Sequence, residues 1–210
     1  AVGSAALGAN TTGSDNNAFG RLALSANTTG ASNCAFGHAV LDANTTGDYN
    51  AAFGAESLTN SVTANNNSAF GFRALKENTG GTNNAAFGAN ALRDNTTGNN
   101  NTAVGRDALI LNQTGVENVA IGEEALDQNV TGSTNTACGF RALEANTDSG
   151  NSAFGAYALY VNTTGTDNTA CGKSALGANT TGDDNVAVGR EALRQNTTGS
   201  ENVAVGHEAL

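Results

Sequence analysis

Glu123 and Glu124 stand side by side near the middle of the chain. Paired carboxylates are what a glycan-cleaving enzyme uses as acid and base. Three other sets of side chains carry reactive groups: His38 and His207; Cys34, Cys138 and Cys171; and Asp15, Asp48, Asp167, Asp183 and Asp184. None has the spacing its chemistry requires. A carboxylate pair works across a groove, usually shaped by an enlarged loop, whereas Glu123-Glu124 belongs to a solvated charged flank of constant length. Each histidine is alone, without a Cys or His at metal-ligand spacing. The aspartates lack the G-G-x-G-x-D phrase of calcium-binding rolls. Cys138 and Cys171 fill a slot that holds Phe, Val or Ile elsewhere, and Cys34 fills one two places earlier, so the thiols read as small hydrophobes. Residues on strands two levels apart are ~9–10 Å from one another, too far for a disulfide, which needs Cα atoms within about 7 Å. The expectation is a non-enzymatic chain with no catalytic residue, no cofactor and no metal ligand.

The elements that carry these residues repeat. A glycine recurs every 17 residues from Gly3 to Gly139 and again from Gly155 to Gly206, with only the Gly139–Gly155 interval a residue short. Around each lies the phrase N-x-A-[FVIC]-G-x-x-A-L-x-x-N-T-T-G-x-x. A fixed period of this kind means one small unit stacked on copies of itself. Residues 1–210 therefore read as a single repeat domain, beginning at Ala1-Val2-Gly3 and ending at Glu208-Ala209-Leu210, both in mid-repeat. The strict phase of the apolar residues argues against disorder despite the Gly- and Asn-rich composition. Net charge is −10, with 19 acidic residues against 9 basic. That balance opposes nucleic acid, which needs a basic stripe, and anionic lipid alike. No apolar run approaches the ~20 residues of a membrane helix, so no membrane insertion is expected of this segment.

Helical repeats need about 33–47 residues, and Asn-Thr-Thr-Gly breaks helices. Two short strands per repeat fit instead, one over N-x-A-[FVIC]-G and one around Ala-Leu. The predicted fold is all-β, a parallel β-solenoid of about thirteen coils and roughly 60 Å, at ~4.8 Å per level. In the first strand the third residue is constantly alanine and the fourth is large and apolar, so both faces look dry. One face lines the lumen and the other needs a partner; alternation does not say which is which. The leucine of Ala-Leu points inward, its charged neighbours face water, and about four or five apolar side chains fill each coil. Lateral association would stabilise so thin a core. Two asparagine columns, one opening N-x-A and one opening N-T-T-G, suit corner ladders, because amides donate and accept along a column where aspartates would repel. The irregular stretches, Thr59–Asn66 and Glu144–Gly150, fall in the connecting turn.

The phrases N-V-A-I-G at Asn118–Gly122 and N-V-A-V-G at Asn185–Gly189 and Asn202–Gly206 resemble the head repeat of YadA-type trimeric autotransporter adhesins. The longer phrase G-x-x-A-L-x-x-N-T-T-G-x-x-N is similar to repeats of bacterial and phage tail-fibre proteins. The resemblance runs the length of the chain, although 17 residues is longer than the usual adhesin head repeat. It implies a left-handed β-roll packed as a homotrimer, with an adhesive, extracellular role on a cell surface or in a virion fibre and a host-surface or glycan receptor. The functional expectation is a structural or adhesive fibre segment that assembles side by side and head to tail into a filament. The alternative is an ice-binding solenoid presenting Thr and Asn columns such as Thr11-Thr12. Against it, adjacent threonines in a turn diverge, whereas an ice-ordering face wants T-x-T on a strand.

Overall fold

A computed structural model describes residues 1–210. The chain forms twelve strands of three residues each, from β1 (Asn17–Phe19) and β2 (Cys34–Phe36) to β12 (Val203–Val205). All lie in one parallel sheet in chain order. Register is strict: Ala18 pairs with Ala35 and Phe19 with Phe36. The short interval does not disturb it, since Cys138 still pairs with Phe154. The repeat around Gly3 contributes only an isolated bridge between Val2 and Phe19. The solenoid thus has twelve strands bounding eleven complete turns, rather than thirteen coils. This register defines stacking order and not winding sense, so a left-handed sense rests on the resemblance alone. No helix is long and apolar enough to cross a membrane.

The expected second strand is not a strand. Around Ala-Leu the chain makes linked reverse turns: Ala23 N–H donates to Gly20 C=O (3.3 Å), Ser25 to Leu22 (3.3 Å) and Asn27 to Leu24 (3.2 Å). Leu22 and Leu24 take φ of 62° and 52°. The left-handed region at the third position of a turn marks the type II family, which normally asks for Gly or Asn there. The core leucine adopts φ near 50° in coil after coil, as at Leu41, Leu75, Leu109 and Leu176. A 17-residue circuit has no room for a gentler corner. The left-handed conformation costs about 1–2 kcal/mol, and complete burial of the leucine offsets it by ~1.5–3 kcal/mol. Gly105 shows why the periodic glycine is required: its φ is 137°, and a Cβ there would sit 2.5 Å from the Gly122 carbonyl oxygen.

The lumen holds three apolar side chains per coil, such as Ala18, Ala23 and Leu24, all fully buried. This is fewer than the four or five expected, because the large residue before the glycine points outward. Asparagines complete the interior. Asn33 is fully buried; its Nδ2 donates to Asn16 Oδ1 (3.2 Å) and Gly47 C=O (2.7 Å), and its Oδ1 accepts from Asn50 N–H (3.0 Å). Asn27 Nδ2 likewise donates to Asn10 Oδ1 (2.8 Å) and to Gly30 C=O (2.9 Å). A buried amide with every group paired contributes about 0.5–1.5 kcal/mol per hydrogen bond instead of a desolvation penalty. The Asn27 ladder breaks twice, where the sequence is irregular. Ser61 replaces asparagine, leaving Asn44 Oδ1 and Ser61 Oγ without partners. At the short turn Asn146 Nδ2 swings to Asp148 C=O (2.6 Å), and Asn129 Oδ1 is left unpaired.

Candidate interaction face

Strand alternation sends the alanine inward and its two neighbours outward. The strand alanines, Ala35 and Ala69 among them, are fully buried. The outward columns run Phe19, Phe36, Phe53, Phe70, Phe87, Val104, Ile121, Cys138, Phe154, Cys171, Val188, Val205 and, beside it, Asn17 to Val203 by way of Ala51, Thr102, Val119 and Thr169. Neither column holds a charged residue in any of the twelve strands. The register stacks the first five phenylalanines face to face, with ring centres 4.7–5.0 Å apart and planes within 10°. Rings prefer offset or edge contacts when free to choose; here the backbone spacing imposes the stack. Phe19, Phe87 and Phe154 remain 42%, 40% and 44% exposed. Solvated strand faces normally carry Thr, Lys or Glu, so this uncharged stripe is the feature of the surface that asks for an occupant.

The residues singled out for chemistry are dispersed and engaged elsewhere. Glu123 pairs with Arg106, and Glu124 pairs with Arg141 (2.6 Å) and Arg106 (3.4 Å), in a ladder of surface ion pairs between coils. The Arg106 guanidinium is held further toward its charged form by its bond to Glu123. His38 Nε2 lies 2.6 Å from Arg21 Nη2, and His207 lies 3.5 Å from Glu208. Asp48 and Asp183 accept backbone N–H groups of the preceding coil, from Ala31 and Thr166 (both 2.7 Å). Asp15, Asp167 and Asp184 sit beside that column at left-handed φ of 53–57°. No three His, Cys, Asp or Glu side chains converge in a way that could hold a metal ion. All three thiols are free. Cys138 and Cys171 flank Phe154 on the outward face, and burial raises the pKa of Cys34.

The threonine columns have a structural engagement. Thr11 Oγ1 donates to Thr28 C=O (2.9 Å), Thr28 to Thr45 (3.0 Å) and Thr180 to Thr197 (2.8 Å). The first hydroxyl hydrogen of each pair except the last, Thr197-Thr198, is therefore committed along the axis. One feature went unread in the sequence: a depression of about 460 Å³ over Gly177, bordered by Tyr160, Lys173 and Arg194. Its only signal is a missing side chain at the position after the core leucine, where the adjoining coils carry Tyr160 and Arg194. In comparisons with family models, curated proteins and solved structures, the chain matched none.

Proposed function

We propose that this chain is a non-enzymatic, structural and adhesive fibre segment that assembles laterally through the outward face of its sheet. The observation that carries the reading is the uncharged double column along all twelve strands, with a half-exposed aromatic ladder over the first five. A phenylalanine has ~150–250 Å² to bury, so a ring about two-fifths exposed still offers roughly 60–100 Å². Summed along the rod, the stripe reaches several hundred Å², above the patch size usual for a monomer surface. It approaches the ~800 Å² per partner of a standard interface. A second copy is the natural occupant, because its own ~4.8 Å ladder matches the spacing of this one level for level. Three copies around a common axis close every stripe, in keeping with the resemblance to trimeric adhesins. The same resemblance supports the reading of an extracellular fibre, on a cell surface or in a virion.

Equilibrium sedimentation at micromolar concentration tests the assembly: trimers are expected, and Phe53→Lys with Phe70→Lys should give a folded monomer. A stable monomer of the unaltered protein refutes it. The ice-binding alternative draws less support, because the first threonine hydroxyls already donate within the chain. A thermal-hysteresis measurement decides it.

A further inference from the structure

We infer that the depression over Gly177 is a binding site for an anionic saccharide, with a sugar ring stacked on Tyr160 and its acid group held by Lys173 and Arg194. The inference deepens the adhesive part of the proposal above and is independent of lateral assembly. Tyr160, Gly177 and Arg194 occupy one column on three successive coils. With no side chain at the middle level, Tyr160 and Arg194 stand two coil spacings apart, ~9–10 Å. Two contacts at ~3.5–4.0 Å span ~7–8 Å, and the puckered, substituted ring of a sugar, thicker than a flat one, takes up the remainder of such a slot. The volume, about 460 Å³, falls within the ~300–1,000 Å³ typical of small-ligand sites.

The aromatic wall is held in place. Tyr160 packs edge-to-face on Tyr157 (5.4 Å), which packs edge-to-face on Phe140 (5.3 Å). Charge around the slot opposes that of the chain. Arg190 and Arg194 share the single carboxylate of Glu191 (2.9 and 3.1 Å), and Lys173 is in no ion pair. Three of the nine basic residues thus meet one acid here, in a chain of net charge −10. Glu208 borders the adjoining cleft beyond Arg194 and offsets part of this excess. Arg190 beside Glu191 holds that carboxyl below the usual range, so it stays ionised and orients Arg194. Ser174 and Gln195 at the edge of the slot supply neutral donors and acceptors suited to sugar hydroxyls. A polyphosphate or an anionic membrane would meet the whole acidic rod; a single acidic ring meets only the slot.

The test is titration of the full chain with 3′-sialyllactose, tri-galacturonate and a heparin-derived disaccharide, with lactose as the neutral control, read by saturation-transfer NMR and calorimetry. At least one acidic sugar should bind more tightly than ~10 mM, and lactose at least about tenfold more weakly. The carboxylated and sulfated arms show which acid the site prefers. Gly177→Tyr fills the slot with the residue its neighbour coil already carries at Tyr160, so it should fold while losing binding at least about tenfold. Lys173→Glu should lose as much by charge reversal. Sedimentation of the same samples reports assembly separately, so failure of either idea is visible alone. No acidic sugar bound, lactose bound equally, or full binding in Gly177→Tyr each overturns the inference.

Discussion

The break in the asparagine ladder at Ser61 predicts a coupled repair. In unbroken coils a Cβ on the turn glycine would collide with the asparagine that opens its own turn, 2.5 Å from Asn27 Oδ1 at Gly30 and 2.5 Å from Asn95 Oδ1 at Gly98, and with the carbonyl oxygen of the next coil's turn glycine, Gly47 or Gly115. The irregular coil carries alanine there, and Ala64 is buried at 1% exposure. Ser61, shorter than asparagine, removes the side-chain part of that collision for Ala64, and the cost is two orphaned buried oxygens, Asn44 Oδ1 and Ser61 Oγ. Ser61→Asn alone should therefore destabilise by ~1–3 kcal/mol through overpacking against Ala64. Ala64→Gly alone should cost ~0.4–1 kcal/mol through the added freedom of the unfolded chain. Together they restore the donor to Asn44 Oδ1 and an acceptor for Asn78 Nδ2. Each buried group left unsatisfied costs ~1–3 kcal/mol, so the double variant should exceed the parent by roughly 1–3 kcal/mol. A double-mutant cycle followed by hydrogen exchange of the amides from Thr45 to Asn67 reads this locally, which matters because long repeat arrays need not unfold as one unit. Additive effects, with the double variant less stable than the parent, would refute the coupling.

Gly105→Ala should destabilise its coil by at least about 2 kcal/mol, from the disfavoured φ and the collision with the Gly122 carbonyl; wild-type exchange protection there would contradict the close approach. Ala69→Leu should cost ~1–3 kcal/mol by crowding the lumen, whereas an unchanged denaturation midpoint would mean this column does not face inward. Burial raises the Asp42 carboxyl above its ordinary range, and its Oδ1 has no partner. Its ionisation therefore opposes folding, an effect absent below the usual carboxylate pKa and complete once pH has risen past the raised one. Asp42→Asn should be more stable than the parent at neutral pH, with the advantage vanishing in acid; an advantage independent of pH would point to another cause.

The period made the parallel register, the strand position and both asparagine columns legible, because each depends on identical residues meeting at one axial spacing. The inward face was not, since alanine and phenylalanine columns are both apolar and alternation only separates them. Burial resolves it: Ala18 is fully buried and Phe19 is 42% exposed. The turns at Leu24 were also hidden. Leucine is among the last residues that local propensity places at positive φ, and only its role as the one large lumen side chain compels it there. The slot at Gly177 escaped because it exists between coils; glycine among variable flank residues says nothing until Tyr160 and Arg194 stand on either side.

The asparagine columns are also vectorial. Asn44 donates to Asn27 and Asn27 to Asn10 (2.8 Å each), and Asn179 donates to Asn162 in the same sense (2.8 Å). Outside the breaks at Ser61 and Asn146 the amide dipoles of the column point the same way, so a cut across an unbroken stretch of the rod exposes donors on one face and acceptors on the other. Two such faces complement each other in one orientation only. Head-to-head contact would set donor against donor in the desolvated centre of the joint. The rod is therefore polar along its axis, and the two faces of any cut through it are chemically different surfaces.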